Sequence, residues 1–266
     1  MKIGIIGKGY VGNAVKNGFE QKGFIVKAYD KFKEGDRFED VVLCDFIFVC
    51  VPTPPKEDGS IDLSAIDEVM EKLAKLRPKG IIVIKSTVIP GTTQDYQNKY
   101  PNLKFVFNPE FLTTASADQD FLYPDKIAIG YTQGNKKFAQ QLSEIYKDFN
   151  APIIILKSEE AEMVKYMINS YYALRVIFAN VIYDICQAFD IDYEKVRECF
   201  ELDKRVSPGH FDVFYGGYRG FGGACLPKDL AALTYKAQEL GLDTKLFKTA
   251  QEINKHLRKL SGVKQT

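Results

Sequence analysis

The sequence predicts an α/β protein in which a doubly wound, mostly parallel β-sheet is followed by an all-helical domain built on one long helix. Over roughly the first 155 residues, short β-rich runs alternate with amphipathic stretches, which is typical of a parallel sheet with helices on both faces. Runs such as IIVI and FIFVCV are continuously apolar, as strands buried on both faces are. From Ser158 onward, a helical pattern continues without Gly or Pro until beyond Asp190.

The predicted sheet has seven strands, with helices between most of them. In chain order the strands are Lys2–Ile6, Ile25–Tyr29, Phe46–Val51, Ile81–Lys85, Lys104–Phe107, Lys126–Gly130 and Ile153–Leu156. The intervening helices are Val11–Gln21, Leu63–Leu76, Thr92–Lys99 and Lys136–Phe149. We therefore expect one domain over residues 1–157 and a second over residues 158–266.

A long helix is expected to form the spine of the second domain. Ser158 is a suitable N-cap, and Glu159 and Glu160 favour the positive end of a helix dipole. Apolar residues then recur at steps of four and three, at positions 167, 171, 174, 178, 181 and 185. A helix over residues 158–189 would be about 48 Å long at 1.5 Å per residue. Shorter helices are expected at about 192–200, 228–240 and 244–260, with a glycine-rich loop at 216–223 and a frayed SGVKQT end.

Composition and charge exclude several classes of function. Of the 266 residues, 45% are hydrophobic, which is ample for a folded core, and the formal net charge is only +1. This balance gives no strong field to attract nucleic acid or an anionic membrane. No apolar run approaches the ~20 residues of a membrane span, and the start MKIGIIGKGYVG lacks the features of a signal peptide. We therefore expect a cytoplasmic protein.

A glycine motif, Gly7-Lys8-Gly9-Tyr10-Val11-Gly12, follows the first strand and opens the first helix. In this GxGxxG pattern the glycines permit a tight turn, a close approach to a pyrophosphate and close helix–strand packing. Asp30 ends the next strand, where its carboxylate would accept hydrogen bonds from the ribose hydroxyls of the cofactor. Because a carboxylate repels a 2′-phosphate, this position favours NAD over NADP. The neighbouring Lys31 weakens that exclusion. A Rossmann-type NAD site is the prediction, and a glycine-rich turn without a nucleotide is the alternative.

Hydroxyl groups follow two other predicted strands, where ligands of open α/β sheets lie. Thr53 lies in Val51-Pro52-Thr53-Pro54-Pro55 and could offer its hydroxyl to the cofactor, unless the segment is only a stiff loop. Ser86-Thr87 occupies the same kind of position and could orient a water or a carboxamide.

Two parts of the second domain carry candidate chemistry. Lys165 and Asn169 lie at i and i+4 on the long helix, roughly opposite its apolar stripe, and suit a developing oxyanion, although such a pair is more often a solvated face.

Cys225, in GFGGACLPKD, lies at a loop-to-helix junction beside Lys228, where a thiolate is favoured, with Asp229 four residues on. The alternative is a buried structural cysteine, as expected for Cys44, Cys50, Cys186 and Cys199. The five cysteines are an odd number without CxxC pairs, so neither a disulfide framework nor a metal cluster is expected.

Six ordered motifs resemble the UDP-glucose/GDP-mannose dehydrogenase family over nearly the whole chain, from Met1 to about Lys259. They are GKGYVG, VPTPP with DGS, KSTVIPGTT, NPEFL, EMVKYMINS and GFGGACLPKD. The resemblance implies a four-electron oxidation of a nucleotide-sugar C6 alcohol to a carboxylate with two NAD, most readily UDP-glucose to UDP-glucuronate. It also implies a homodimer in which the long helix pairs with its copy.

The motifs carry implied roles to individual residues. Cys225 is implied to be the nucleophile that forms a thiohemiacetal and then a thioester, with Lys165 and Asn169 stabilising the oxyanion. Proton transfer or water positioning is implied for Asp229, Thr87 and Glu110. The cofactor-binding set is Gly7, Gly9, Tyr10, Val11, Gly12, Asp30, Lys31, Pro52, Thr53, Thr87 and Lys228. The substrate-binding set is Phe111, Leu112, Lys165, Asn169, Arg205, Phe221, Gly222 and Gly223.

Three departures from the family pattern bear on the activity. Thr114 stands where the family commonly has a second glutamate, and threonine cannot take up a proton at neutral pH. The segment between Asp30 and Val51 is shorter than usual. The family's C-terminal domain, which closes over the nucleotide, is expected to be absent.

Two other readings remain open. A β-hydroxyacid dehydrogenase would also join such a sheet to a helical domain and use Lys165 and Asn169, but it would have no use for Cys225. A non-catalytic NAD-binding remnant of the family would account for Thr114 and for the expected loss of the last domain.

Overall fold

A computed structural model describes residues 1–262, so the last four residues of the predicted SGVKQT end lie outside the described part of the chain. The chain packs into two compact units. The first contains Met1–Pro54 and Ile61–Lys165, and the second contains Pro55–Ser60 and the chain from Tyr166 onward. The domain boundary between residues 157 and 158 stays a prediction.

The first unit is built on a seven-stranded sheet. Its strands are β1 (Lys2–Ile6), β2 (Ile25–Tyr29), β3 (Phe46–Val49), β4 (Ile81–Ile84), β5 (Phe105–Phe107), β6 (Ile127–Tyr131) and β7 (Ile153–Lys157). Their order across the sheet is β2-β1-β3-β4-β5-β6-β7, and only the β5–β6 pairing is antiparallel. The predicted doubly wound, mostly parallel sheet is therefore confirmed. Because the strand order reverses at β1, the switch point where such sheets bind ligands lies beside the β1–α1 loop.

Both faces of this sheet are buried, as the continuous apolar strands require. On β3, Phe46 and Phe48 belong to one hydrophobic cluster, and Ile47 and Val49 belong to the other. The helices of this unit are α1 (Tyr10–Gln21), α2 (Phe38–Val42), α3 (Ser64–Leu76), α4 (Thr92–Lys99), α5 (Ala117–Leu122) and α6 (Lys136–Ile145), with a 3₁₀ turn at Lys147–Phe149. The sequence did not predict α2 and α5, because five and six residues are too few to show a helical period.

The second unit is helical. The long helix α7 (Ser158–Ala188) begins in the first unit and is followed by α8 (Tyr193–Glu201), a 3₁₀ turn at Tyr215–Gly217, α9 (Leu226–Glu239) and α10 (Lys245–Leu260). Its core includes Ala173, Ile177 and Leu230, together with Phe221 from the loop before α9. Among residues 1–262, no helix has the combined length and apolarity of a membrane span.

The apolar stripe of α7 is exposed rather than buried. Met167 is 70% exposed, Tyr171 54% and Phe178 53%. Lys165 and Asn169 are only 4% and 7% exposed. The solvated-face reading of this pair is therefore wrong, because the helix turns its polar pair inward and its apolar stripe outward.

Candidate active site

The glycine motif forms a tight loop between β1 and α1. Gly7 has φ +99°, a conformation that side chains disfavour, and a Cβ on Gly12 would lie 1.8 Å from the Gly7 carbonyl oxygen. No atom lies within 4 Å of the Cβ position at Gly9, so the space above the loop is open there. The first turn of α1, which starts at Tyr10 and Val11, contains no acidic residue, and its N-cap Gly9 provides no side-chain acceptor. An anion here would meet no acidic side chain in the first turn, and the N-terminal end of a helix favours negative charge.

Asp30 lies directly beside this loop. Its Oδ2 accepts a hydrogen bond from the Lys8 main-chain N–H at 2.6 Å, and its Oδ1 accepts one from Phe32 at 2.9 Å. Burial alone would raise the pKa of Asp30, but these hydrogen bonds and the charge of Lys33 lower it below its ordinary value. The carboxylate is therefore ionised at neutral pH and keeps lone pairs for ribose hydroxyls. Lys31 pairs with Glu68 of α3 at 2.8 Å.

The loops after β3 and β4 are joined by hydroxyl groups. Thr53 is buried, and its hydroxyl donates to the Thr87 carbonyl oxygen at 2.9 Å. The Ser86 hydroxyl donates to the Val51 carbonyl oxygen at 2.6 Å. The hydrogen of Thr53 is thus already used, so toward a ligand this hydroxyl can act only as an acceptor. Thr87 is half-buried, and Pro52 is exposed.

Lys165 and Glu110 form a buried ion pair. The Lys165 ammonium donates to Glu110 Oε1 and to the Glu110 carbonyl oxygen, each at 2.8 Å. Both side chains are 5% exposed, and the other carboxylate oxygen of Glu110 accepts from the Leu112 N–H at 2.8 Å. An ammonium carries three hydrogens, so one remains for a ligand. The half-buried Phe111 ring lies 5.8 Å from Lys165 Nζ and 4.4 Å from Lys126 Nζ.

Cys225 is the N-cap residue of α9, at the end of the glycine-rich loop. It is half-buried, and Pro227 lies in the first turn that follows it. None of the five cysteines, all within the described range, forms a disulfide. Cys44, Cys50 and Cys186 are buried as expected, whereas the expectation for Cys199 is wrong because its place on α8 faces solvent.

A buried carboxylate lies one turn into α9. Asp229 is fully buried, and its Oδ2 accepts a hydrogen bond from Asn169 Nδ2 at 2.5 Å. Its Oδ1 pairs with the Lys228 ammonium, also at 2.5 Å. Asn169 keeps its second N–H and its oxygen, so the pair places an amide donor and an anion within the cysteine-bearing unit.

Two of the predicted substrate-binding residues, Arg205 and Phe221, differ in their exposure to solvent. Arg205 is exposed and pairs with Asp203 at 2.5 Å in the segment after α8. Phe221 is 3% exposed and packs into the helical core, so its side chain anchors the loop, while Gly222 and Gly223 line an open pocket.

Several residues near the predicted motifs were missed by the sequence analysis. Asn254 of α10 holds the glycine-rich loop in a two-way pair, because its Oδ1 accepts from Phe221 N–H at 2.7 Å and its Nδ2 donates to Phe221 O at 3.0 Å. Its partner is 33 residues away, so no local pattern reveals it.

Buried polar residues also fix the KSTV and NPEFL motifs. Lys85 donates to Asn108 Oδ1 at 2.8 Å, and the Tyr146 hydroxyl donates to the same oxygen at 2.7 Å. Burial lowers the pKa of Lys85 to about 8. Glu162, preceding Lys165 on α7, accepts from Gly91 and Thr93 at the start of α4, and burial raises its pKa to about 7. The only feature of the sequence that could have indicated these buried polar residues is Lys85, a lysine at the end of an apolar strand.

Comparison with known proteins decides the family. The model of the NAD binding domain of the UDP-glucose/GDP-mannose dehydrogenase family matches residues 25–150, and that of the family's central domain matches residues 159–256. The UDP-glucose 6-dehydrogenase AglM of Haloferax volcanii is 31% identical over 96% of this chain and 69% of its own length. The chain belongs to the UDP-glucose/GDP-mannose dehydrogenase family. It is thus a member of a family of NAD-dependent nucleotide-sugar dehydrogenases.

Other members of the dehydrogenase family share the sequence or the fold. The GDP-mannose 6-dehydrogenase of Pseudomonas aeruginosa is 36% identical over 77% of this chain and 50% of its own length. The structure of a UDP-glucose dehydrogenase from Pyrobaculum islandicum has a TM-score of 0.87 at 31% identity, covering 97% of this chain and 68% of that one. That likeness confirms the predicted Rossmann-type fold followed by helices.

The residues of the glycine motif fit the family's cofactor, NAD. Gly9 leaves open space where a pyrophosphate would approach, and the N-terminal end of α1, whose first turn has no acidic residue, suits its charge. The ionised Asp30 suits unmodified ribose hydroxyls and repels a 2′-phosphate.

Proposed function

We propose that this chain oxidises the C6 alcohol of a nucleotide sugar to a carboxylate, with UDP-glucose as substrate and UDP-glucuronate as product. The observation that carries this proposal is the place of Cys225 at the N-cap of α9. Asp229, in the first turn of this helix, is bonded to Lys228 and to Asn169 of α7. Simple alcohol oxidation does not need a thiol, whereas an aldehyde held for a second oxidation does.

Lys165 and Asn169 are the proposed oxyanion stabilisers. Each is buried and each keeps one N–H beyond those already donated to Glu110 and Asp229. Fixed donors in a dry environment stabilise developing negative charge without reorganising. Their burial supports this role, because a merely solvated pair would not be held in this way.

Cys225 is the proposed covalent catalyst. Bound NAD would supply the hydride acceptor for each of two oxidations. The Cys225 sulfur would bond the aldehyde carbon as a thiohemiacetal and hold the acyl group as a thioester after the second oxidation. Water then hydrolyses the thioester, which releases the carboxylate and returns the thiol. Asp229, Glu110 and Thr87 are the proposed residues that accept protons or position this water.

The remaining proposed contacts divide between cofactor and sugar nucleotide. Pro52, Thr53 and Lys228 are assigned to NAD, together with Tyr10, Val11 and Lys31. The substrate contacts are Phe111, Leu112, Arg205, Phe221, Gly222 and Gly223. Thr114 is exposed and cannot accept a proton, so we assign that task to Glu110 and Asp229.

We also propose that α7 forms a homodimer interface with its copy. Met167, Tyr171, Phe178 and Ile185 are each at least 47% exposed along one side of the helix. A contiguous apolar surface of this kind is typical of protein–protein contacts.

The test measures NADH formation with UDP-glucose and, in parallel, with GDP-mannose, because relatives of both specificities resemble the chain. Wild-type protein is expected to oxidise UDP-glucose, and Cys225→Ser to lose about 10³-fold or more in turnover. Cys199→Ser is the matched control, since that thiol is exposed on α8. The proposal fails if wild-type protein binds NAD yet oxidises neither nucleotide sugar.

A further inference from the structure

Lys85 is a buried cation that no carboxylate balances. It follows the apolar strand β4 and is 4% exposed. Its ammonium donates to Asn108 Oδ1 at 2.8 Å and lies 3.4 Å from the Asn108 carbonyl oxygen. No carboxylate of residues 1–262 forms an ion pair with it, and the Phe121 ring, 5.7 Å from Nζ, offsets only part of the cost of burying the charge. Compared with an apolar residue, Lys85 is therefore expected to lower the free energy of unfolding.

Asn108 does not need Lys85 to hold it in place. Its Oδ1 also accepts a hydrogen bond from the Tyr146 hydroxyl at 2.7 Å, and its Nδ2 donates to the Ala128 carbonyl oxygen at 2.8 Å. With Lys85 removed, neither polar atom of this amide would be left without a partner. A role as a clamp for Asn108 therefore does not account for a buried lysine.

The charge of Lys85 acts on the ion pair of Lys165 and Glu110 within the first unit. Burial lowers the pKa of Lys85 to about 8, while Glu110 opposes this shift and Lys165 adds to it. Cys50 and Tyr146, the other titratable groups beside it, carry no charge at pH 7, because burial raises the pKa of the Cys50 thiol to about 12 and that of the Tyr146 hydroxyl well above its ordinary value. Two ammonium groups thus share one carboxylate, and the cluster has one positive charge in excess when Lys85 is protonated.

We propose that Lys85 is a positioning residue of the active site, whose charge makes the Lys165–Glu110 pair electropositive toward a developing oxyanion. This role rests on the proposed function, in which Lys165 stabilises that oxyanion. A neutral ion pair would offer the oxyanion an ammonium whose field is largely cancelled by its own carboxylate. A second buried cation restores a net positive field, and such fields are poorly screened where water is excluded. Lys85 thus acts through Lys165 and does not itself contact the substrate.

The experiment compares wild type with Lys85→Met, which removes the charge but keeps an unbranched side chain. Turnover and KM are measured as NADH formation from UDP-glucose and from GDP-mannose, NAD affinity by isothermal titration, and stability by urea denaturation. At pH 7, Lys85→Met is expected to be at least as stable as wild type but about tenfold lower in kcat, with KM and NAD affinity unchanged. Lys79→Gln is the matched control with wild-type turnover, because this exposed lysine precedes the same strand at its other end.

The pH dependence separates a role of the charge from a role in packing. The charge of Lys85 is present below about pH 8 and is lost as pH rises through that value. The ratio of kcat in wild type to kcat in Lys85→Met should therefore fall from about tenfold at pH 7 toward one at about pH 9.5, and ionisations that both proteins share cancel in this ratio. Stability should change in the opposite sense: wild type should gain free energy of unfolding relative to Lys85→Met above pH 8, because the unfolded chain still holds a proton that folded Lys85 has released.

Several outcomes would overturn this role. It is wrong if folded Lys85→Met turns over like wild type, if the kcat ratio stays constant with pH, or if Lys85→Met weakens NAD binding. If Lys85→Met does not fold, Lys85→Arg decides, because arginine keeps its charge over this pH range. Wild type should then lose kcat relative to Lys85→Arg as pH rises through 8, and parallel profiles refute the role. A wild type that oxidises neither nucleotide sugar overturns the proposed function and this role together, whereas wild-type turnover with an unaffected Lys85→Met overturns this role alone.

Discussion

Replacing Lys165 by Met should separate the structural role of this residue from its catalytic one. The change removes a cation that is 4% exposed and leaves the Glu110 carboxylate buried beside an apolar side chain. Breaking a buried pair from one side costs about 3–5 kcal/mol, because the remaining charge is uncompensated. The substitution also removes the two 2.8 Å hydrogen bonds from Lys165 to Glu110. We therefore expect Lys165→Met to lower the free energy of unfolding by about 3–5 kcal/mol.

Adding Glu110→Gln to Lys165→Met removes the stranded charge while keeping an acceptor for the Leu112 N–H. The double variant should therefore recover about 2 kcal/mol or more of the free energy of unfolding lost by Lys165→Met. Its turnover should not recover, because the oxyanion donor Lys165 and the Glu110 carboxylate, a proposed proton acceptor, are both missing. Urea denaturation and NADH formation measure the two quantities on the same preparations.

Two results would refute this reasoning. A double variant no more stable than Lys165→Met would mean that the pair is not a desolvated ion pair. A double variant that regains both stability and turnover would mean that Lys165 and Glu110 only support the fold, and that the oxyanion is stabilised and the proton accepted elsewhere.

Other predictions concern the cofactor loop and a buried acid. Gly9→Ala should leave the melting temperature unchanged, because φ is −75° and no atom lies within 4 Å of the new Cβ, yet it should weaken NAD binding about tenfold or more by filling the pyrophosphate space. Unchanged NAD affinity in a titration would contradict that assignment. Asp30→Ser should raise the ratio of NADP to NAD affinity about tenfold, and an unaltered ratio would show that Asp30 does not face the ribose. Burial raises the pKa of Glu162 from 4.5 to about 7, which corresponds to about 3 kcal/mol. This contribution to stability is present below pH 4.5 and is lost as pH rises through 7. Part of this contribution is already lost at pH 5, so relative to Glu162→Gln the wild type should lose about 2.5 kcal/mol of unfolding free energy between pH 5 and 8. If the difference in unfolding free energy between wild type and Glu162→Gln stays constant over this pH range, the raised pKa of Glu162 is refuted.

The sheet and the long helix could be predicted because their signals are local and repeated. The predicted strands all appear, with ends shifted by at most two residues, and α7 ends one residue before the predicted 189. The strand predicted to reach Val51 ends at Val49, where the chain turns into the proline segment.

The parts that sequence could not reveal depend on distant partners. The polar face of α7 looked like a solvated surface, yet Lys165 is buried because Glu110, 55 residues earlier, neutralises it. Asn254 lies in an ordinary amphipathic helix, and only its two hydrogen bonds to Phe221 show that it holds the glycine-rich loop. Asp229 was predicted as a candidate base, but its bond to Asn169 could be seen only in the structure.

The most direct test of the central claim is the number of NADH formed per sugar acid released from UDP-glucose, in wild type and in Cys225→Ser. The account predicts two NADH per carboxylate for the wild type and almost no carboxylate for Cys225→Ser. One NADH per product, with turnover unaffected by the loss of Cys225, would contradict it.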